Sequence, residues 1–180
     1  MNELPEHLGG HGNTTHIDSS VLKYAVDTLG VKTMVDVGCA TGGMVREAHS
    51  IGVSAVGIDG DHTLEWGDTP VVLHDYTEGG YKNGKWDLGW SVEFLEHIDP
   101  QYLDNVFSTF GQCSYIVCTA APPGAVGHHH VNCRSSEYWI ETFDHYGFDY
   151  QEKQSSKIRE MSSMPLDFMR KTGMLYKNRG

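Results

Sequence analysis

Glu93, Glu96 and His97 fall at i, i+3 and i+4 in the run Glu-Phe-Leu-Glu-His. Residues at that spacing share one face of a helical turn. Two carboxylates and an imidazole there make half a ligand shell for a divalent cation. A second dense group is His128-His129-His130, inside the loop AAPPGAVGHHHVN that Pro122, Pro123, Gly124 and Gly127 shape. Imidazole exchanges protons near neutrality, so this loop offers a base, a ligand or a solvated surface. Of the three, His130 stands nearest the helix that follows and is expected to be held most firmly. His11 and His16, near the start of the chain, are placed to face the same pocket.

A third group combines glycines with acids. VDVGCATGG (35–43) carries Gly38 and Gly42 in a G-x-x-x-G spacing after an apolar run. It matches neither the GxGxxG of dinucleotide binders nor the GxxxxGK[ST] of a P-loop, and no Lys stands near it to hold phosphate. Asp36 would repel a pyrophosphate. Asp59 follows about 20 residues on, where a carboxylate accepts from both hydroxyls of a ribose. Asp75 ends a further apolar run and is suited to an exocyclic amine. Three such acids around a glycine loop without basic residues describe a nucleoside that carries positive charge and no phosphate. S-adenosylmethionine is a ligand of that kind.

Positioning these groups requires an alternating fold. IDSSVLKYAVDTL (17–29) puts Val21, Leu22, Ala25, Val26 and Leu29 on one helical face, with Asp18 or Ser19 as cap and Gly30 as stop. TMVDVG (33–38), SAVGID (54–59), PVVLHD (70–75), WDLGWSV (86–92) and SYIVCTA (114–120) read as strands. GMVREAHSI (43–51) reads as a helix. Asp99-Pro100 opens another with Leu103, Val106, Phe107 and Phe110 inward, and Ser135 or Ser136 a third with Trp139, Ile140 and Phe143 inward and Gly147 as stop. FDYQEKQ and MLYKN are expected to be two last strands around a polar loop holding Met161, Met164 and Pro165. Strand and helix signals in alternation predict an α/β fold with a parallel sheet covered on both faces. Ligands of such sheets sit beyond the carboxyl ends of the strands, where the residues above fall.

VDVGCATGG, VGIDGD, LHDYT and WDLGWSVEFLEHI, in that order, resemble motifs one to four of the class I S-adenosylmethionine-dependent methyltransferases, over about residues 33–120. The resemblance implies a Rossmann-like three-layer sandwich, with a seven-stranded, mostly parallel sheet whose last strand is antiparallel. It implies that Asp36, Gly38, Cys39, Ala40 and Gly42 surround the methionine part of the cofactor. Asp59 and Gly60 would meet the ribose, Asp75 and Tyr76 the adenine edge, and Ser91 the approach to the methyl. Ala40 stands where the family pattern has glycine. The E-x-x-E-H run resembles the metal-binding motif of ubiquinone-pathway O-methyltransferases and of small-RNA terminal 2′-O-methyltransferases, which take a further His from the loop after the fifth strand. The implied ligands are Glu93, Glu96, His97 and His130, for Mg²⁺, Mn²⁺, Fe²⁺ or Zn²⁺. The expected catalytic side chains are His97, His129 and His130.

The 180 residues carry 24 acids against 13 Lys plus Arg, a net charge of −11. That balance disfavours a nucleic-acid or anionic-membrane binder, which needs clustered cations. No apolar stretch approaches the ~20 residues of a membrane span, and the polar start MNELPEHLGGHGNTTH lacks the pattern of a signal peptide. A cytoplasmic protein with four reduced cysteines, monomeric or homodimeric, is expected. One domain is expected too: a lid and helix over 1–32, a cofactor-binding core over 33–120, and a substrate side over 121–180. The leading functional expectation is O-methylation of a small-molecule or sugar hydroxyl. An RNA ribose 2′-O-methyltransferase is an alternative that the E-x-x-E-H run favours and the charge opposes. A cofactor-binding subunit without turnover is the non-enzymatic alternative. The missing GxGxxG argues against a nicotinamide dehydrogenase.

Overall fold

The computed structural model describes residues 4–180. Its strands are β1 (Thr33–Val37), β2 (Ser54–Asp59), β3 (Val71–Leu73), β4 (Trp86–Ser91), β5 (Cys113–Cys118), β6 (Phe148–Tyr150) and β7 (Met174–Asn178). They form one sheet in the order β3-β2-β1-β4-β5-β7-β6. β7 runs antiparallel to both β5 and β6, and the remaining pairs are parallel. The strand order reverses at β1 and β4, so the crevice beyond Val37 and Ser91 is the expected ligand position. The Rossmann-like, seven-stranded architecture and the reversed last strand agree with the sequence expectation.

Among the described residues six α-helices flank the sheet: α1 (Ser19–Leu29), α2 (Gly43–Ser50), α3 (Leu103–Phe110), α4 (Ser136–His145), α5 (Glu152–Met161) and α6 (Phe168–Thr172). Local chemistry sets their ends. The Asp18 carboxylate accepts from the Val21 amide at the start of α1, and Gly30 ends it at φ 73°, a left-handed geometry that costs glycine little. Ser135 caps α4 through the Tyr138 amide. Asp99 accepts from the Gln101 amide, but the turn it opens, Pro100–Tyr102, is 3₁₀ and becomes α-helical only at Leu103.

Two apolar layers cover the sheet. Val21, Leu22, Met34, Met44, Val45, Leu88, Trp90, Ile158 and Leu175 build one. Val35, Ile58, Val106, Phe110, Ile116, Trp139, Phe143 and Tyr176 build the other. Strands apolar on both faces are what a sheet covered by helices requires.

The tail differs from expectation. FDYQEKQ is a strand only to Tyr150, and Glu152–Met161 forms α5. α5 buries just Ser155 and Ile158, so its sequence shows almost no apolar stripe. Hydrogen bonds seat it instead. The Leu175 amide donates to Ser155 Oγ at 2.9 Å, and Asp18 accepts from the Ser163 amide and from the Ser162 and Ser163 hydroxyls. The segment expected as a polar loop also contains α6, with Met164 and Met169 buried. No helix among the described residues is long and apolar enough to cross a membrane.

Candidate active site

A cavity of about 550 Å³ opens at the carboxyl ends of β1 to β4, a volume in the range of small-molecule sites. Its floor is the loop from β1 to α2. Gly38 there has φ 76°, and a Cβ would come within 2.4 Å of the Phe94 ring. Only glycine permits that approach without displacing the ring. Gly42 is left-handed too and precedes α2.

The acids of the cofactor half occupy different situations. Asp36 lines the cavity, is 3% exposed, and leaves Oδ2 without a partner. Burial, then the nearby Asp59 charge, pushes its carboxyl up to about 8. A buried carboxyl oxygen without a partner is costly, and a cationic ligand group relieves it. Asp59 accepts from the Ala40 amide at 2.8 Å and the Asp61 amide at 2.9 Å. It therefore ties the β1 loop to the β2 loop as well as lining the cavity. Burial raises its carboxyl despite those bonds. Asp75 also lines the cavity, but its Oδ1 accepts from the Thr77 amide and its Oδ2 from His7 at 2.7 Å.

Gly38, Ala40, Gly60 and Tyr76 line the same space. The Tyr76 hydroxyl points away, pairing with Thr109 at 2.9 Å in the core, so it is the ring that borders the cavity. Cys39, Gly42 and Ser91 do not reach the wall. Cys39 is buried with its Sγ facing Gly57. The Ser91 hydroxyl donates to the Val37 carbonyl at 3.0 Å, joining β4 to β1 beneath the site.

The Glu93–His97 run is not one helical turn. Glu93 has φ 53°, and only Leu95–His97 is 3₁₀. Thr119 fixes Glu93 in that conformation. Its hydroxyl donates to Glu93 Oε1 at 2.8 Å and accepts from the Glu93 amide at 2.9 Å. Glu93 still lines the cavity, but the cluster with metal-ligand geometry is Glu96, His97 and His130, whose donor atoms lie within 4.8 Å of one another. The Glu96 carbonyl accepts from the Val131 and Asn132 amides at 3.0 and 2.9 Å, which brings the histidine loop to the 3₁₀ turn. The Glu96 carboxylate is fully buried with neither oxygen partnered, and burial, then the Glu93 charge, raises it to about 8. Burial, then His130, lowers His97 to about 4, so its ring is neutral at pH 7 and keeps a lone pair. Two imidazoles and one unsatisfied carboxylate fit a divalent transition ion with open positions.

His128 and His129 also border the cavity. His128 Nε2 donates to the Glu6 carbonyl at 2.8 Å, so it clasps the N-terminal segment. His129, left-handed at φ 46°, stands 6.3 Å from the His7 ring. His11 and His16 face the cavity as expected. Trp66 gives no signal in the sequence, and the partners of His7 and Asp61, which stand in the N-terminal histidine cluster and the VGIDGD run, are not legible there. Asp61 is buried and bonded to His11 at 2.9 Å, and the Trp66 indole donates to the Ala40 carbonyl at 2.8 Å. Each depends on contacts between distant parts of the chain.

No protein-family model matches the sequence, and no curated protein matches it. Solved structures do resemble the fold. An S-adenosylmethionine-dependent methyltransferase from Archaeoglobus fulgidus aligns at 20% identity and a TM-score of 0.57, over 73% of this chain and 69% of its own. The sugar N-methyltransferase KedS8 from Streptoalloteichus sp. aligns at 12% and 0.65, over 89% of this chain and 85% of its own. The methyltransferase domain of bacterial CtHen1 aligns at 12% and 0.60, over 90% of this chain and 98% of its own. At these identities the likeness is one of fold, and that fold is the class I methyltransferase fold which the motifs resemble.

Proposed function

We propose that the chain is an S-adenosylmethionine-dependent methyltransferase acting on a hydroxyl of a small molecule or sugar, with a divalent cation held by Glu96, His97 and His130. The observation that carries this reading is the juxtaposition, in one cavity, of the unpartnered Asp36 carboxylate and the unpartnered Glu96 carboxylate. Burial keeps a proton on each, and the two ligands proposed would supply the positive charge that lets each ionise.

Asp36 and the backbone of Gly38 and Ala40 receive the methionine part. Asp59 and Gly60 border the ribose. Asp75 and the Tyr76 ring border the adenine end, with Phe94 closing over the β1 loop. In-line transfer to a sulfonium carbon needs alignment and exclusion of water more than acid chemistry. A hydroxyl acceptor must also lose its proton. A bound cation would lower the pKa of that hydroxyl. The neutral His97 ring would offer a lone pair to that cation, with His130 and Glu96 beside it, and Glu93, held by Thr119, borders the acceptor side. His129 is the base that receives the proton.

The wall composition supports a neutral or cationic acceptor. Among the described lining residues Lys171 is the only Lys or Arg, and it pairs with Asp167 at 2.7 Å. A phosphodiester such as RNA finds little to neutralise it. The sugar specificity of KedS8, a fold neighbour, agrees with a sugar acceptor. The test is transfer of labelled methyl from S-adenosylmethionine to a panel of sugars, phenols and RNA ends, with Mn²⁺ and with excess chelator. Label on a sugar or phenol hydroxyl that disappears with chelator is expected. Label only on RNA, or full transfer in chelator, overturns the acceptor or the cation respectively.

A further inference from the structure

The N-terminal segment lies over the cofactor end of the cavity, and its attachment is unusual. Residues 5–16 form no helix or strand, and none of them is fully buried. Little apolar packing holds them, which places them at the low-stability end of the fold. Side-chain hydrogen bonds do the holding. At the base, Thr15 Oγ1 accepts from the Gly43 amide at 3.1 Å and lies 3.2 Å from the Cys39 carbonyl. Further out, His11 Nε2 donates to Asp61 at 2.9 Å and His7 Nε2 to Asp75 at 2.7 Å. Gly9, Gly10, Gly12 and Asn13, between and around the two histidines, all have positive φ of 88°, 79°, 55° and 55°. That run is a ready hinge.

The acceptors are strong ones. Burial acts to raise both carboxyls, but bonds from Thr63 and His11 to Asp61, and from His7 and Thr77 to Asp75, hold them below the ordinary carboxylate range. Both are therefore ionised at pH 7, and their bonds are charge-assisted. The acid at the end of β3 thus spends an oxygen on the lid, not on a ligand.

We propose that His7 and His11 are positioning residues that latch the 5–16 segment over the strand ends, adding to the His128 clasp on the Glu6 carbonyl, so that their bonds slow the departure of an occupant of the cofactor end. The identity of that occupant rests on the methyltransferase reading; the latch does not.

The test has two arms. In the first, amide hydrogen exchange of the ligand-free protein compares wild type with His7→Ala/His11→Ala. The latch predicts exchange over residues 8–16 accelerated at least tenfold, with β1 and β4 unchanged. Equal exchange in the two proteins overturns it. The double Gln variant, which keeps an N–H donor at each position, is expected to restore most of the protection; failure to do so assigns the effect to lost packing and also overturns the latch. In the second arm, stopped-flow release of S-adenosylhomocysteine is followed by tryptophan fluorescence. The double Ala variant is expected to release it at least tenfold faster with an unchanged melting temperature. Unchanged release beside accelerated exchange overturns the retention role. Failure of wild type itself to bind S-adenosylhomocysteine counts against the methyltransferase reading and leaves the exchange arm to decide the latch.

Discussion

The His97 and His130 rings stand 4.9 Å apart at 76°, although 33 positions of chain separate them. The relationship is made by backbone: two amides of the histidine loop converge on the Glu96 carbonyl. His130 Nδ1 donates to the Ala125 carbonyl at 3.2 Å, an outer bond of the kind that orients metal-binding imidazoles.

Gly127 tests that placement. A Cβ there would lie 2.2 Å from His130 Nε2, so Gly127→Ala must push the ring aside. Mn²⁺ affinity is expected to fall by roughly ten- to a hundredfold, as for lost outer-shell support. Folding stability should change by no more than about 1 kcal/mol, since the ring can move into the open cavity. Mn²⁺ titration by electron paramagnetic resonance, alongside urea unfolding, reads both. Unaltered affinity would remove His130 from the ligand set.

Glu96→Gln separates function from stability. The substitution removes a buried, unpartnered carboxyl that must hold a proton in the native state. The ligand-free protein should melt a few degrees higher, about 1 kcal/mol of stabilisation, while Mn²⁺-dependent transfer is lost. A lower melting temperature would mean that Glu96 is stabilised by an unseen bond. Chelation of wild type should likewise abolish transfer and leave S-adenosylhomocysteine binding intact.

Stability should depend on pH with an unusual sign. Asp36 and Glu96 each keep a proton in the native state up to about 8, whereas the unfolded chain loses it near about 4. The native state binds more protons across that window, so stability falls as pH rises from about 4 to about 8. Urea midpoints at about pH 5.5 and about pH 8 check this. The Asp36→Asn/Glu96→Gln pair should flatten the slope. A midpoint that rises with pH in wild type would contradict the burial of these charges.

Asp59→Asn probes the joint between the first two strand-end loops. Asp59 accepts from two amides, and Asn can offer only one acceptor oxygen. A loss of about 1–3 kcal/mol of stability is expected, together with at least tenfold weaker S-adenosylhomocysteine binding. Thermal melts with and without ligand measure both. Weakened binding at full stability would restore Asp59 to a purely ligand-facing role.

Most of the sheet was legible because its buried strands are short apolar runs, several ending at glycine or an acid, as in TMVDVG and SAVGID. The glycine loop and its acids were legible for the same reason: they end strands. α5 was not, because a helix seated by Ser155 and by the Asp18–Ser162–Ser163 bonds needs almost no apolar period. Glu93 was misplaced because spacing assumes helical backbone, and Thr119, 26 positions away, holds it left-handed. Asp75 looked free for a ligand in sequence, since nothing local announces that His7, 68 positions earlier, occupies it.

On the proposed reading, Asp36 gives up its proton when the positive charge of a sulfonium nucleoside arrives beside it. Calorimetric titration of S-adenosylmethionine into wild type and Asp36→Asn, in excess chelator, tests it most directly. Binding to wild type, weakened at least tenfold by the substitution and thus by about 1.4 kcal/mol or more, is the predicted result. Equal affinity in the two proteins, or no binding to wild type at millimolar ligand, would contradict it.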